Sequence, residues 1–286
     1  AGIGPSVSRA VVRDLFEGAA AQKLMSSMVM VFSLAPAIAP VLGGWVHVAA
    51  GWRWVFGMLV VLGMLLLLAC VLFFPETHPP SKRSHFHPVS LAKSCWHVAS
   101  GPAFSLLAFS AALAMSSLFI YIGAAPAIIL EQWHLAETQF HYIFIPIVLG
   151  LMSASFASGR IAGRVPRVTQ LRIGFGMLAA SAAVAAVAHL FAPQLPILFM
   201  QLFLFVLASG AQLTYPVLTL EMIDMHPLAR GAAASVQTFV ALGVGAVAMG
   251  MIAPVLHGNL ALMAWISLAG SVLAWLLWRA GSALRR

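Results

Sequence analysis

Eight uncharged, predominantly apolar runs of between 19 and 25 residues follow one another along this chain: 24–46, 54–74, 102–123, 140–158, 173–192, 196–219, 232–256 and 260–278. A helix needs about 20 apolar residues to cross the hydrocarbon core of a bilayer, where every backbone N–H and C=O must be satisfied within the segment. The runs therefore predict a bundle of spanning helices. Hydrophobic residues make up 62% of the 286 positions and charged ones 8%, against the roughly 25% charged of soluble domains. That balance excludes a soluble fold.

The connectors are short and carry helix breakers. Pro193-Gln194-Leu195-Pro196 divides one long apolar stretch and His257-Gly258-Asn259 another, so neighbouring helices are expected to run antiparallel. If each run crosses once, fourteen of the fifteen Lys and Arg residues fall on one side of the membrane and only Arg53 falls opposite. The positive-inside rule makes the rich side cytoplasmic and puts the C-terminus there. The formal charge of +8 thus reports topology, since these cations are dispersed among connectors, and no nucleic-acid surface is expected.

The longest polar connection, Pro75 to Ser100, separates two runs and the opening segment from the six runs that follow. The expected organisation is 1–74 as part of one helix bundle, 75–101 as a cytoplasmic loop and 102–286 as a six-helix bundle. Ala1 to Ser8, uncharged and too short to span, reads as half of a helix, the alternative being a short interfacial segment. Cys70 and Cys95 do not form a disulfide framework. His78, His85, His87 and His97 lack the Cys or carboxylate partners that metal-ligand spacing requires, so no metal is expected.

Ionisable groups in mid-span would be the first functional candidates, because burying a charge in lipid is costly. All seven acids, Asp14, Glu17, Glu76, Glu131, Glu137, Glu221 and Asp224, lie at or beyond the ends of the runs. Glu221 is the nearest candidate for proton coupling; otherwise it forms an ion pair at the cytoplasmic end, with Arg230 or Arg160. Uncharged polar residues mark the interior instead. At 100° per residue, Gln201, Gln212, Tyr215 and Thr219 share one narrow helical sector, which either lines a cavity or makes interhelical hydrogen bonds. Pro216 lies in that stripe and removes the donor to the carbonyl near Gln212. Phe109, Met115, Phe119, Tyr121 and Phe144, together with Gln201, Gln212, Tyr215 and Gln237, are the substrate-cavity candidates, since aromatic and Met side chains suit adaptable apolar cavities. Small residues at Ser155, Gly159 and Gly163, at Gly231 with Ser235 and at Ala246 with Gly250 are expected to allow close helix approach.

Several strings are similar to those of a known family. Arg9-Ala10-Val11-Val12-Arg13-Asp14-Leu15-Phe16 resembles the end of the fourth helix in major facilitator drug transporters of the Bcr/CflA type. Ala35-Pro36-Ala37-Ile38-Ala39-Pro40-Val41-Leu42-Gly43-Gly44 resembles their antiporter motif on the fifth helix, with Ala39 where the general pattern has Gly. Gly51-Trp52-Arg53-Trp54-Val55-Phe56 and Pro75-Glu76-Thr77-His78-Pro79-Pro80 flank the sixth. Gly159-Arg160 with Gly163-Arg164 resembles a degenerate copy of the cytoplasmic loop motif between the eighth and ninth helices, and Gly231-Ala232-Ala233-Ala234-Ser235 the start of the eleventh. Physically, Pro36 and Pro40 lie on one face and remove two backbone donors, while Gly43 and Gly44 permit close packing, which makes a deformable helix.

The resemblance implies an all-α polytopic membrane protein with the major facilitator fold, a partial N-terminal half beginning in the fourth helix and a complete six-helix C-terminal half. It implies proton-coupled antiport of drugs or small hydrophobic compounds across the bacterial inner membrane by alternating access. Arg13, Asp14, Gly159, Arg160, Gly163, Arg164 and Glu221 are the expected cytoplasmic gating and loop residues. The implied partners are the bilayer, a small-molecule drug or metabolite and protons; the proton gradient is the energy source, no cofactor is expected, and the protein is expected to be monomeric. Two other readings stand beside this one. Export of an amino acid or other polar metabolite would call for charged cavity residues, which the runs lack. A membrane enzyme would need a convergent His, Asp, Glu or Ser-Lys set, and a structural or sensor protein a soluble domain or partner motif; neither is found.

Overall fold

In the computed structural model, the described residues are 38–73, 88–161, 164–192, 195–226, 229–256 and 259–285, with Val11 and Ala35 besides. They are mostly helical and contain no strand. Seven helices among them are long and apolar enough to cross a membrane. The chain divides into two compact units, Ala1–His87 and Pro88–Arg286.

The first unit contains α1 (Ile38–Ala50) and α2 (Trp52–Phe73) among its described residues. Gly51 separates them at φ +86°, the left-handed conformation in which a side chain would be strained. Its amide donates to the His47 carbonyl at 2.8 Å and its carbonyl accepts from the Trp54 amide at 3.1 Å, closing one helix and opening the next. Arg53, beyond that turn, lies over the Trp52 ring with its guanidinium carbon 4.5 Å from the centroid. The run 24–46 falls largely outside the described residues. So do Pro36, Arg13 and Asp14; Pro40 and Gly44 are half-buried in α1.

The second unit opens with α3 (Pro88–Ala99), a helix within what the sequence reads as a polar connection. Six spanning helices follow: α4 (Pro102–Gly123), α5 (His141–Ile161), α6 (Arg167–Phe191), α7 (Ile197–Asp224), α8 (Arg230–Leu256) and α9 (Leu260–Ala283). Their starts follow local chemistry. Pro102 sits in the first turn of α4, where its missing N–H leaves no bond unmade, and Asn259 caps α9 by accepting from the Leu262 amide at 2.9 Å.

α4 packs against α7, α8 and α9, while α7 also packs against α5 and α6. The largest buried side chains therefore come from these central helices: Phe104, Leu107, Leu118 and Tyr121 from α4, Phe175 and Leu178 from α6, and Leu204 from α7. Phe175 stacks on Trp278 of α9 at 5.5 Å.

The closest approaches differ from those expected. A Cβ on Gly159, Gly231 or Gly250 would meet nothing within 4 Å, so these residues do not join helices; Gly163 lies outside the described residues. The contacts occur at Gly174 and Gly210 instead. A Cβ on Gly210 would lie 2.8 Å from the Gly174 carbonyl oxygen, and one on Gly174 would lie 3.0 Å from the Gly210 carbonyl oxygen. α6 and α7 thus touch backbone to backbone. Four-residue spacing within one helix located none of this, because Gly174 and Gly210 are paired across two helices.

Two π turns interrupt the α-helical pattern, Ile128–Gln132 just beyond α4 and Ala248–Ile252 within α8. The second lies over Gly123, where an added Cβ would come within 3.0 Å of the Met249 Cα.

Candidate transport site

The polar stripe on α7 is the centre of the site. α7 continues unbroken from Ile197 to Asp224 through Pro216, so the stripe stays in register along its length. Gln201 donates its amide to the Tyr142 carbonyl of α5 at 3.3 Å. Thr219 donates to the Tyr215 carbonyl at 2.8 Å and accepts from the buried Gln237 amide of α8. The two ends of the stripe thus tie α7 to α5 and α8. The side chain of Gln212, between them, is half-buried and makes no hydrogen bond to another residue.

The apolar candidates occupy different environments. Tyr121 is fully buried, its ring edge-on to Phe203 at 5.1 Å. Phe144 is buried and adjoins Phe140. Met115, Phe119 and Tyr215 are half-buried against the core, and Phe119 fills the space beside Gly245. Phe109 is 47% exposed. A shallow apolar cleft of about 390 Å³ lies along α9, lined by Trp265, Leu268, Ala269, Val272, Leu273 and Leu276; none of the predicted residues borders it.

Sequence reasoning missed Gln170 and Ser209. Buried Gln170 of α6 donates to Ser158 of α5 at 2.7 Å and to the Leu213 carbonyl of α7 at 3.1 Å. Ser209 donates to the Gly150 carbonyl of α5 at 3.2 Å. Gln170 lies before the uncharged run of α6 begins, which is why counting polar residues inside the runs passed it over.

All eight described Lys and Arg residues of the second unit, Lys93, Arg160, Arg164, Arg167, Arg172, Arg230, Arg279 and Arg285, lie near the helix ends that adjoin the α5–α6 and α7–α8 connections, α3 and the end of α9. Among the described residues, two ion pairs hold these ends together. Arg167 meets Asp224 at 2.9 Å with both side chains about half exposed. Glu221, with its side chain only 11% exposed, meets Arg285 at 3.1 Å. The sequence offered Arg230 or Arg160 as its partner; the end of α9 brings Arg285 there instead. Arg160 lies over the Phe156 ring at 4.4 Å, and Arg164 is exposed just beyond α5. No group of three or more His, Cys, Asp or Glu residues that could hold a metal occurs among the described residues.

A six-helix unit with amides bridging its helices and cations gathered at one end fits a transport bundle, and a family model described as Major Facilitator Superfamily matches residues 1–250. The chain belongs to the Major Facilitator Superfamily. It is a multi-pass membrane protein of that transporter family, with an all-α architecture. Its facilitator relatives include a bicyclomycin resistance protein homolog of Haemophilus influenzae, 28% identical over 177 residues that make up 62% of this chain and 44% of the relative. The uncharacterized MFS-type transporter YdgK of Bacillus subtilis is 27% identical over 75% of this chain and 54% of its own. A chloramphenicol resistance protein of Pseudomonas aeruginosa is 26% identical over 65% and 43%. The chain spans about half the length of the curated relatives it matches.

Proposed function

We propose that this facilitator exports drugs or small hydrophobic compounds by proton-coupled antiport across the bacterial inner membrane, with alternating access and a cytoplasmic C-terminus. The observation that carries the reading is the likeness to two relatives named for resistance to bicyclomycin and to chloramphenicol. The site's chemistry supports it: α7 and its neighbours offer aromatic, Met and amide groups, with no carboxylate in the middle turns of any described span. An apolar cavity with few polar groups suits hydrophobic cargo. Polar metabolite export, the other transport reading, lacks a charged group to fix an amino or carboxylate function.

The gathered cations at one end are what the positive-inside rule assigns to the cytoplasm. Arg160, Arg164, the Arg167–Asp224 pair and the Glu221–Arg285 pair would then stand at the cytoplasmic mouth, where their making and breaking accompanies access on that side.

Expression of the complete gene in a host lacking its own efflux pumps tests this. Raised resistance to hydrophobic drugs, abolished by a protonophore, is expected. Unchanged susceptibility to every compound, with accumulation of an amino acid or sugar in the knockout of the native gene, refutes it.

A further inference from the structure

We propose that α3 docks on the bilayer surface, with an uncovered apolar edge in the cytoplasmic leaflet and Lys93 on the phosphate of an anionic phospholipid. At 100° per residue, Val98 and Cys95 stand on one side of this helix, and the bundle covers them: Val98 is fully buried and Cys95 packs against the core. The cover comes mainly from α8, with a smaller share from α4. A second side carries Lys93, Ser94 and His97, all exposed. Between the two lies an arc of Ala92, Trp96 and Val89 that is apolar and yet exposed, Trp96 by 76% and Val89 by 67%. The apolar surface of α3 thus extends past the edge of the bundle. Protein on one flank and water on the other leave this arc to a third medium.

The height of α3 in the second unit identifies that medium. Between Ala99 and Pro102, the first residue of a spanning helix, Gly101 is extended (φ −71°, ψ 116°), so α3 turns away from the line of α4 at the end of the span. Ser105, in the first turn of α4, donates to the Ala99 carbonyl at 2.6 Å and pins α3 there. A bilayer meets a spanning bundle at this height with its headgroup boundary, the zone that favours Trp and holds the apolar faces of amphipathic helices. The cations of the second unit gather at the same end, which the positive-inside rule sets against the anionic cytoplasmic leaflet. Lys93 borders the arc, about 40° round the helix from Val89, where its stem can lie along apolar surface while its ammonium reaches a phosphate. A strip of three side chains is too narrow for a protein partner, whose stable interfaces take about 800 Å² from each side.

The complete gene product, in a background freed of cysteine, receives a single cysteine in place of Val89, is labelled with bimane and is placed in nanodiscs. Ala92→Cys is a second site on the same arc, should the first fail to fold, and His97→Cys is the control on the polar side. Brominated phospholipid and aqueous iodide serve as quenchers. Bimane at position 89 should be quenched mainly by the lipid and bimane at position 97 mainly by iodide. Brominated phosphatidylglycerol should bind beside position 89 about fivefold more tightly than brominated phosphatidylcholine, the worth of one lysine at an anionic surface, and Lys93→Gln should bring the two lipids level. Quenching of position 89 by iodide puts the arc in water, and quenching by neither agent puts it under another part of the protein. Equal affinity for the two lipids with Lys93 in place, or a preference that survives Lys93→Gln, removes the headgroup site. Each of these results overturns the proposal, and none depends on whether the protein exports drugs.

Discussion

Replacing Gly210 by Ala tests whether α6 and α7 are held at backbone contact. The new methyl would lie 2.8 Å from the Gly174 carbonyl oxygen and 2.9 Å from the Leu178 amide nitrogen, against 3.4 Å for the start of ordinary contact. The helices must part by about 0.6 Å, the difference between 3.4 and 2.8 Å, and both atoms are main chain and cannot swing away. Overpacking of this kind costs about 1–3 kcal/mol. The helix gains roughly 0.5–1 kcal/mol from losing a glycine, which leaves a net loss on the order of 1–2 kcal/mol. Gly176, one short step along α6 from Gly174, is the matched control, because a Cβ there would meet nothing within 4 Å. Thermal unfolding in detergent should place Gly210→Ala about 2–8 °C below wild type, and Gly176→Ala level with it or above. Equal melting of the two variants would show that the interface is loose and refute the reasoning.

Three further outcomes are expected. A double-mutant cycle on Glu221 and Arg285 should give a coupling of about 1 kcal/mol, larger than that of the more exposed Arg167–Asp224 pair, which at most reaches the few tenths usual for surface pairs; the order is read from detergent melting curves, and reversal would contradict the burial seen here. Gln237→Leu should lose on the order of 0.6 kcal/mol through its bond to Thr219, the typical value for hydrogen bonds between spanning helices, measured in the same way. In a Cys70→Ala, Cys95→Ala background, a cysteine replacing Arg164 should react with a membrane-impermeant maleimide only in inverted vesicles, and one replacing Glu137 only in whole cells; the opposite pattern would invert the topology.

Spanning helices were legible because lipid leaves the backbone so few options: uncharged length alone located α2 and α4 to α9, and the breakers at Pro196 and Asn259 marked real helix starts. The helical sector of Gln201, Gln212, Tyr215 and Thr219 was equally readable, since angular position within one helix is a local property. What each residue touches was not. Arg285 reached Glu221 because α9 ends beside α7, and Gly174 met Gly210 because α6 packs on α7, both facts of packing between helices that no single helix encodes. α3 stayed hidden for a related reason. Its twelve residues are amphipathic and too short to span, so a search for crossing segments read them as part of a loop.

The interhelical amides and hydroxyls of α7 and α8 share a direction along the chain. Gln201 and Ser209 reach back to carbonyls of α5, and Gln237 reaches back to Thr219 of α7. Each donor is thus synthesised after its acceptor, so each polar helix leaves the ribosome with its partner already in the membrane. The order does not hold for the other helices: Ser110 of α4 donates forward to the Ala274 carbonyl of α9 at 2.7 Å, and Gln170 of α6 is mixed, with Ser158 made before it and the Leu213 carbonyl made after. During biogenesis α6 accordingly arrives with one bond available and one still owed, and it should settle only when α7 emerges.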